Sequence, residues 1–184
     1  MITRFSNWLI RQAIGLNILI LIALLVAFQQ FLFPYLITHF GPGTEHPILD
    51  TLFGFSPDQA HFLLFKYGEA GRQGYITTLL AGDILFPFVY GGLLALINSW
   101  LLKMNGLGGS SLQKLNLLPL AAMLFDLLEN AGILSMLRAF PEQSNALAGY
   151  TSLMGMAKWV LLIICILLVI GLAIFGLIAF LKRK

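Results

Sequence analysis

The sequence predicts an all-α integral membrane protein, a four-helix transmembrane bundle with an additional amphipathic helix in one outer loop. Three observations predict it. Hydrophobic residues make up 59% of the 184 and charged residues only 10%, where a soluble domain is roughly half apolar and a quarter charged. Mean hydropathy is +0.89. Four apolar runs, at about 14–37, 75–102, 115–137 and 153–181, each meet the roughly 20 residues that a helix of 1.5 Å rise needs to cross a bilayer. They lack the short alternating segments of a β-barrel. Eleven Lys plus Arg against eight acids leave +3, too few charges for nucleic-acid binding, and the same figures exclude disorder. The one cysteine, Cys165, excludes an intramolecular disulfide framework and a multi-cysteine metal site.

The first span follows Arg4 and Arg11 and runs on through Phe28 and Phe33 with no small-residue cleavage pattern, so it reads as an uncleaved span rather than a signal peptide. Trp8 is placed at headgroup depth before it. The outer loop, 38–74, begins with the turn-rich stretch Gly41, Pro42, Gly43 and Pro47. Its second half opens on Ser56-Pro57-Asp58, a cap, a first-turn proline and a first-turn acid, which predicts a helix over about 57–68. Helical register puts Phe62, Leu63 and Phe65 against the bundle top or the headgroups, as a lid. The second span contains Asp83 and Pro87. A short turn with Gly106, Gly108 and Gly109 leads to the third, which carries Asp126 and Glu129. A link over 138–152 leads to the fourth, which is almost purely apolar after Lys158.

Direction follows from charge. With both termini inside, Arg4, Arg11, Lys103, Lys114, Lys182, Arg183 and Lys184 lie on the cytoplasmic side, seven of the eleven basic residues. The reading is a single transmembrane domain, 1–184, multi-pass in a cell inner membrane. The polar residues fall in spans two and three, which argues against a simple inverted-repeat transporter.

An ionised carboxylate facing lipid costs several kcal/mol, so Asp83, Asp126 and Glu129 are expected to point inward or carry protons. Asp126, Glu129 and Asn130 share a face at i, i+3 and i+4; Asp83, Pro87 and Tyr90 define one face of span two. Two such faces on antiparallel neighbours make a polar pocket. The candidate proton-transfer residues are Asp83, Asp126 and Glu129. The candidate ligand-binding residues are Arg72, Tyr90, Asn130, His61 and Tyr67. The competing reading makes the same residues interhelical hydrogen-bond glue, with Asn98 among them. Pro87 removes the N–H that would meet the carbonyl of Asp83, and that carbonyl then needs a partner in the pocket, a water or a ligand group. Arg72 is read as a clamp on Glu69 or Glu129, or as a headgroup-phosphate anchor. Glu-x-x-His pairs, a Ser-His-acid set and a Gly-x-Ser-x-Gly elbow are missing from the sequence, so no metal and no cofactor is expected.

The series Tyr67-Gly68-Glu69-Ala70-Gly71-Arg72, Tyr75, Asp83 to Pro87, Tyr90 and Asp126-Leu-Leu-Glu129-Asn130 resembles functionally uncharacterised small bacterial four-span membrane proteins, over roughly residues 56–141. That resemblance implies the four-helix topology and transfers no catalytic role. A looser likeness is to the sterol-isomerase and sigma-2-receptor superfamily, whose small helical bundles hold acidic residues in a lipid-facing cavity. Its motifs do not align residue by residue here. The leading expectation is a buried acidic pocket that binds or acts on a lipid-like amphiphile, with membrane lipids as partners. The alternatives are an accessory or assembly subunit of a larger membrane complex, and a homo-oligomeric proton-coupled transporter.

Overall fold

A computed structural model describes residues 1–41 and 46–182, and it is helical throughout with no strand among the described residues. Pro42, Gly43 and Glu45 of the outer loop, with Arg183 and Lys184 of the basic C-terminus, lie outside the described residues. Helix α1, Ile2–Gln12, is amphipathic and buries Ser6 and Leu9. The backbone then turns at Ile14, which is extended at φ −115° and ψ 152°. The first span is α2, Gly15–Ala27, a π-helical stretch at Phe28–Leu32, and α3, Phe33–Phe40. Pro34 has no N–H to close an ordinary turn, and the wide turn directly before it absorbs the mismatch.

Ser56 caps α4, Pro57–Lys66, by accepting from the Gln59 N–H at 3.1 Å. Gly68, at φ +65°, makes the corner into α5, Gly68–Thr78, a conformation open to glycine at little cost. The second span continues through a π-helical stretch, Leu79–Asp83, into α6, Phe86–Met104, with Pro87 in its first turn. A 3₁₀ segment, Ser111–Leu117, folds back against α1 and α6 before α7, Leu118–Ala139. Helix α8 spans Asn145–Leu181 and is capped by Ser144. Its 37 residues make it about 55 Å long at 1.5 Å per residue, well beyond a hydrocarbon core of about 30 Å.

Four helical runs are long and apolar enough to cross a membrane: Gly15–Phe40, Gly68–Met104, Ser111–Ala139 and Asn145–Leu181. The chain is therefore a multi-pass membrane protein built as an all-α bundle. Helix α7 packs along α8, and α6 packs on α2, α7 and α8. Helix α3 packs on α5, while α4 lies on α8. A core of Leu49, Phe55, Leu63, Leu64, Tyr75, Ile133 and Met136 fills the end that α4 covers, here termed the capped end.

Two expectations need revision. The register of α4 buries Ala60, Leu63 and Leu64 and turns Phe62 and Phe65 outward, at 54% and 69% exposure, so the phenyl rings do not face the bundle. The fourth helix starts at Asn145, not near 153, because the Ser144 cap opens it inside the supposed link. Lys158 therefore lies thirteen residues into this helix, past its first three turns. Polar residues are thus not confined to spans two and three.

Candidate functional site

Asp126, Glu129 and Asn130 project from α7 at i, i+3 and i+4 toward α6 and α8. There they meet Lys158 of α8. Its Nζ lies 2.6 Å from Glu129 Oε2 and 3.6 Å from Asp126 Oδ1. It also donates to the main-chain oxygen of Asp50 at 3.0 Å, on the loop that folds over the capped end. Ammonium and carboxylate are nearly sealed from solvent, Lys158 being 5% exposed and Glu129 0%. A buried ion pair has to be matched closely in geometry to repay its desolvation. Glycine makes the approach feasible: a Cβ at Gly155 would collide with Glu129 Oε1.

Around this pair the remaining polar groups interlock. Tyr90 Oη donates to Asp126 Oδ2 at 2.8 Å. Asn130 Nδ2 donates to the main-chain oxygen of Asp83 at 2.9 Å and more weakly to Asp126 Oδ1 at 3.4 Å. The carbonyl freed by Pro87 is thus met by a side chain of the neighbouring helix, where the sequence pointed to a water or ligand. Tyr75 Oη donates to Asp50 Oδ1 at 3.1 Å. Burial pushes the Asp50 carboxyl above its ordinary range, and the Lys158 ammonium and the Tyr75 hydrogen bond pull against that shift. The Tyr67 phenol is also raised, first by burial and then by the Asp50 charge.

The polar cluster forms one side of a cavity of about 490 Å³ between the first span and spans two to four. Asp50, Asp83, Asp126, Asn130 and Lys158 face it, with the hydroxyls of Tyr75 and Tyr90. The rest of the lining is largely apolar or aromatic: Phe33 and Ile37 of the first span, Phe86 and Leu94 beside Tyr90 on α6, and Trp159 and Leu162 of α8, with Gln29 of the first span a polar exception. Trp159 Nε1 donates to Leu52 O at 3.1 Å, which ties α8 to the covering loop. No described residue hydrogen-bonds to the Asp83 carboxylate, so among the cavity's acids it is the one whose oxygens remain open to an occupant.

The structure therefore brings together Asp83, Asp126, Asn130 and Tyr90. Glu129 stands behind them, paired with Lys158 and off the cavity wall. Three of the sequence-derived residues lie elsewhere. His61 Nε2 is 3.2 Å from Asn145 Oδ1, at the start of α8. Tyr67 Oη donates to Pro47 O at 2.7 Å. Arg72 clamps neither Glu69 nor Glu129: its guanidinium donates to Leu64 O at 3.0 Å and stacks over Phe140 at 3.8 Å, fastening α4 to α5 and to the end of α7. Sequence reasoning missed Lys158, Asp50 and Gln29, all on the cavity wall. Lys158 had a signal, a lone cation inside a long apolar helix. Asp50 had none, since it lies in a single 3₁₀ turn, Leu49–Thr51, of the outer loop.

No group of three or more metal-ligating side chains occurs among the described residues. In chemical terms the arrangement offers a preorganised ammonium–carboxylate cluster, one uncommitted carboxylate and a largely apolar remainder of the lining. Comparison with family models, with curated proteins and with solved structures gives no match to this chain.

Proposed function

We propose that this chain is a bacterial inner-membrane protein, with both termini cytoplasmic, whose cavity binds or acts on a lipid-like amphiphile. The single observation that supports it is a cavity of about 490 Å³ with a polar cluster in an otherwise largely apolar lining, a size within the usual range for small-molecule sites. Its apolar wall suits a hydrocarbon chain, and the polar wall suits a head with hydrogen-bonding groups. The basic residues gathered on the segments 1–14 and 103–117 support the orientation. Asp126 and Glu129 are occupied in holding Lys158. The ligand-facing role, and any proton transfer, then falls to Asp83, with Tyr90 and Asn130 fixing its surroundings.

The test is native mass spectrometry of the protein released from mild detergent, with extraction and identification of bound lipid. Wild type should retain a defined amphiphile. Leu94→Trp, which fills the apolar side, and Asp83→Asn, which keeps shape without charge, should lower its occupancy at least about tenfold. A wild type that carries no lipid, with a second polypeptide or further copies bound instead, would favour the subunit or transporter alternatives.

A further inference from the structure

A second, smaller groove of about 270 Å³ lies where α1 meets α2 and α6, away from the Lys158 cavity. Trp8 and Leu9 of α1, Ile20 and Leu21 of α2 and Leu96 of α6 form its walls. At one edge Asn17 Nδ2 donates to Gln12 O at 2.9 Å and to Gln12 Oε1 at 3.3 Å, so the polar groups of the corner satisfy one another. The groove is preformed because α1 is pinned from its other face. Ser6 Oγ donates to Asn116 Oδ1 at 2.8 Å and accepts from Gln113 Nε2 at 2.9 Å, while Asn116 Nδ2 donates to Ser6 O at 3.1 Å.

The charges around it are one-sided. Arg4 and Arg11 stand at i−4 and i+3 from Trp8, on its side of the helix, and both are exposed. Neither has an ion-pair partner among the described residues. The segments that build this end, 1–14 and 103–117, contain no acidic residue. Phe5 stacks on Trp8 with ring centroids 5.5 Å apart, and both rings are about half exposed, as befits an aromatic pair at headgroup depth.

We propose that the α1–α2 groove is a binding site for an anionic phospholipid, with one acyl chain along the groove and the headgroup phosphate between Arg4 and Arg11. The apolar walls suit a chain, the two guanidiniums suit a phosphate, and the acid-free surround favours a net negative head. The inference stands apart from the cavity reading and does not need it.

The experiment reconstitutes the full chain in phosphatidylcholine vesicles containing phosphatidylglycerol, with bromine on the acyl chains of one lipid or the other. Bromine quenches tryptophan on contact, and the Trp8 share is the difference between wild type and Trp8→Phe. About 1 kcal/mol per basic residue near an anionic surface corresponds to about a fivefold preference. Brominated phosphatidylglycerol should therefore quench Trp8 with at least about fivefold higher apparent affinity than brominated phosphatidylcholine. The preference should vanish in Arg4→Gln/Arg11→Gln and persist in Lys103→Gln/Lys114→Gln. All four side chains are exposed, so none is needed for packing. Equal quenching by the two lipids in wild type overturns the site. Equal loss in both double variants overturns it too, in favour of diffuse surface charge.

Discussion

An ammonium held between two carboxylates inside an apolar bundle is favourable only while its partners remain. Lys158→Met should leave the Glu129 carboxyl without its partner in a site with no exposure, and breaking such a pair costs about 3–5 kcal/mol. Adding Glu129→Leu should recover most of that loss, because an apolar pair of similar volume is often no worse than the ion pair. Unfolding by sodium dodecyl sulfate titration in mixed micelles measures both. Asp50 makes a pH prediction. Its carboxyl is raised above the ordinary 3.8 mainly by burial, so the folded protein holds that proton more tightly than the unfolded chain does. Its contribution to stability is full at low pH and is lost as pH rises from about 3.8 toward the raised value. The stability difference between wild type and Asp50→Asn, followed against pH, should show that decline; a flat difference would count against it.

At the level of elements, the α7–α8 contact depends on small residues. A Cβ at Gly132 would strike Thr151 Oγ1 and one at Gly155 would strike Glu129, whereas one at Gly171 meets nothing within 4 Å. Gly155→Ala should therefore destabilise by about 1–3 kcal/mol while Gly171→Ala is silent, as read by thermal unfolding in detergent. Asn130→Ala should cost about 1–3 kcal/mol by orphaning the Asp83 carbonyl. The sequence carried part of this interface and not the rest, for physical reasons. Proline's missing N–H marks the carbonyl of Asp83 from sequence alone, since the i−4 relation is local. That Asn130 answers it depends on how far two helices slide past one another, which no local pattern records. The three carboxylates stood out as charge in hydrocarbon. The helix that carries Lys158 begins earlier than its apolar run, because hydropathy puts the start of the last span at about 153, while the Ser144 cap that opens the helix is a polar signal in a polar stretch. His61 and Arg72 were credited with reach toward the pocket, but main-chain and amide acceptors nearer to hand take their hydrogens.

For the molecule as a whole, four spans require that residues near 59 and near 110 lie on opposite faces of the membrane. In a Cys165→Ala background, an impermeant thiol reagent added to intact cells should label Gln59→Cys and spare Ser110→Cys until the cells are permeabilised. The reverse pattern would invert the proposed orientation, and labelling of both would break the span count. The position of Lys158 also bears on how the chain is made. It leaves the ribosome twenty-nine residues after Glu129, an interval on the order of seconds at bacterial or eukaryotic synthesis rates. During that time α7 exposes two acids with no cation to meet them, and a lipid-facing position is costly. The third span should therefore linger at the translocation channel until the fourth arrives. A nascent chain truncated after residue 150 and held on the ribosome by a C-terminal linker long enough to clear the exit tunnel should crosslink through α7 to the channel, and one that carries all of α8 ahead of the same linker should be released. The last helix thereby acts as the timing signal for handing the third one over to the bilayer.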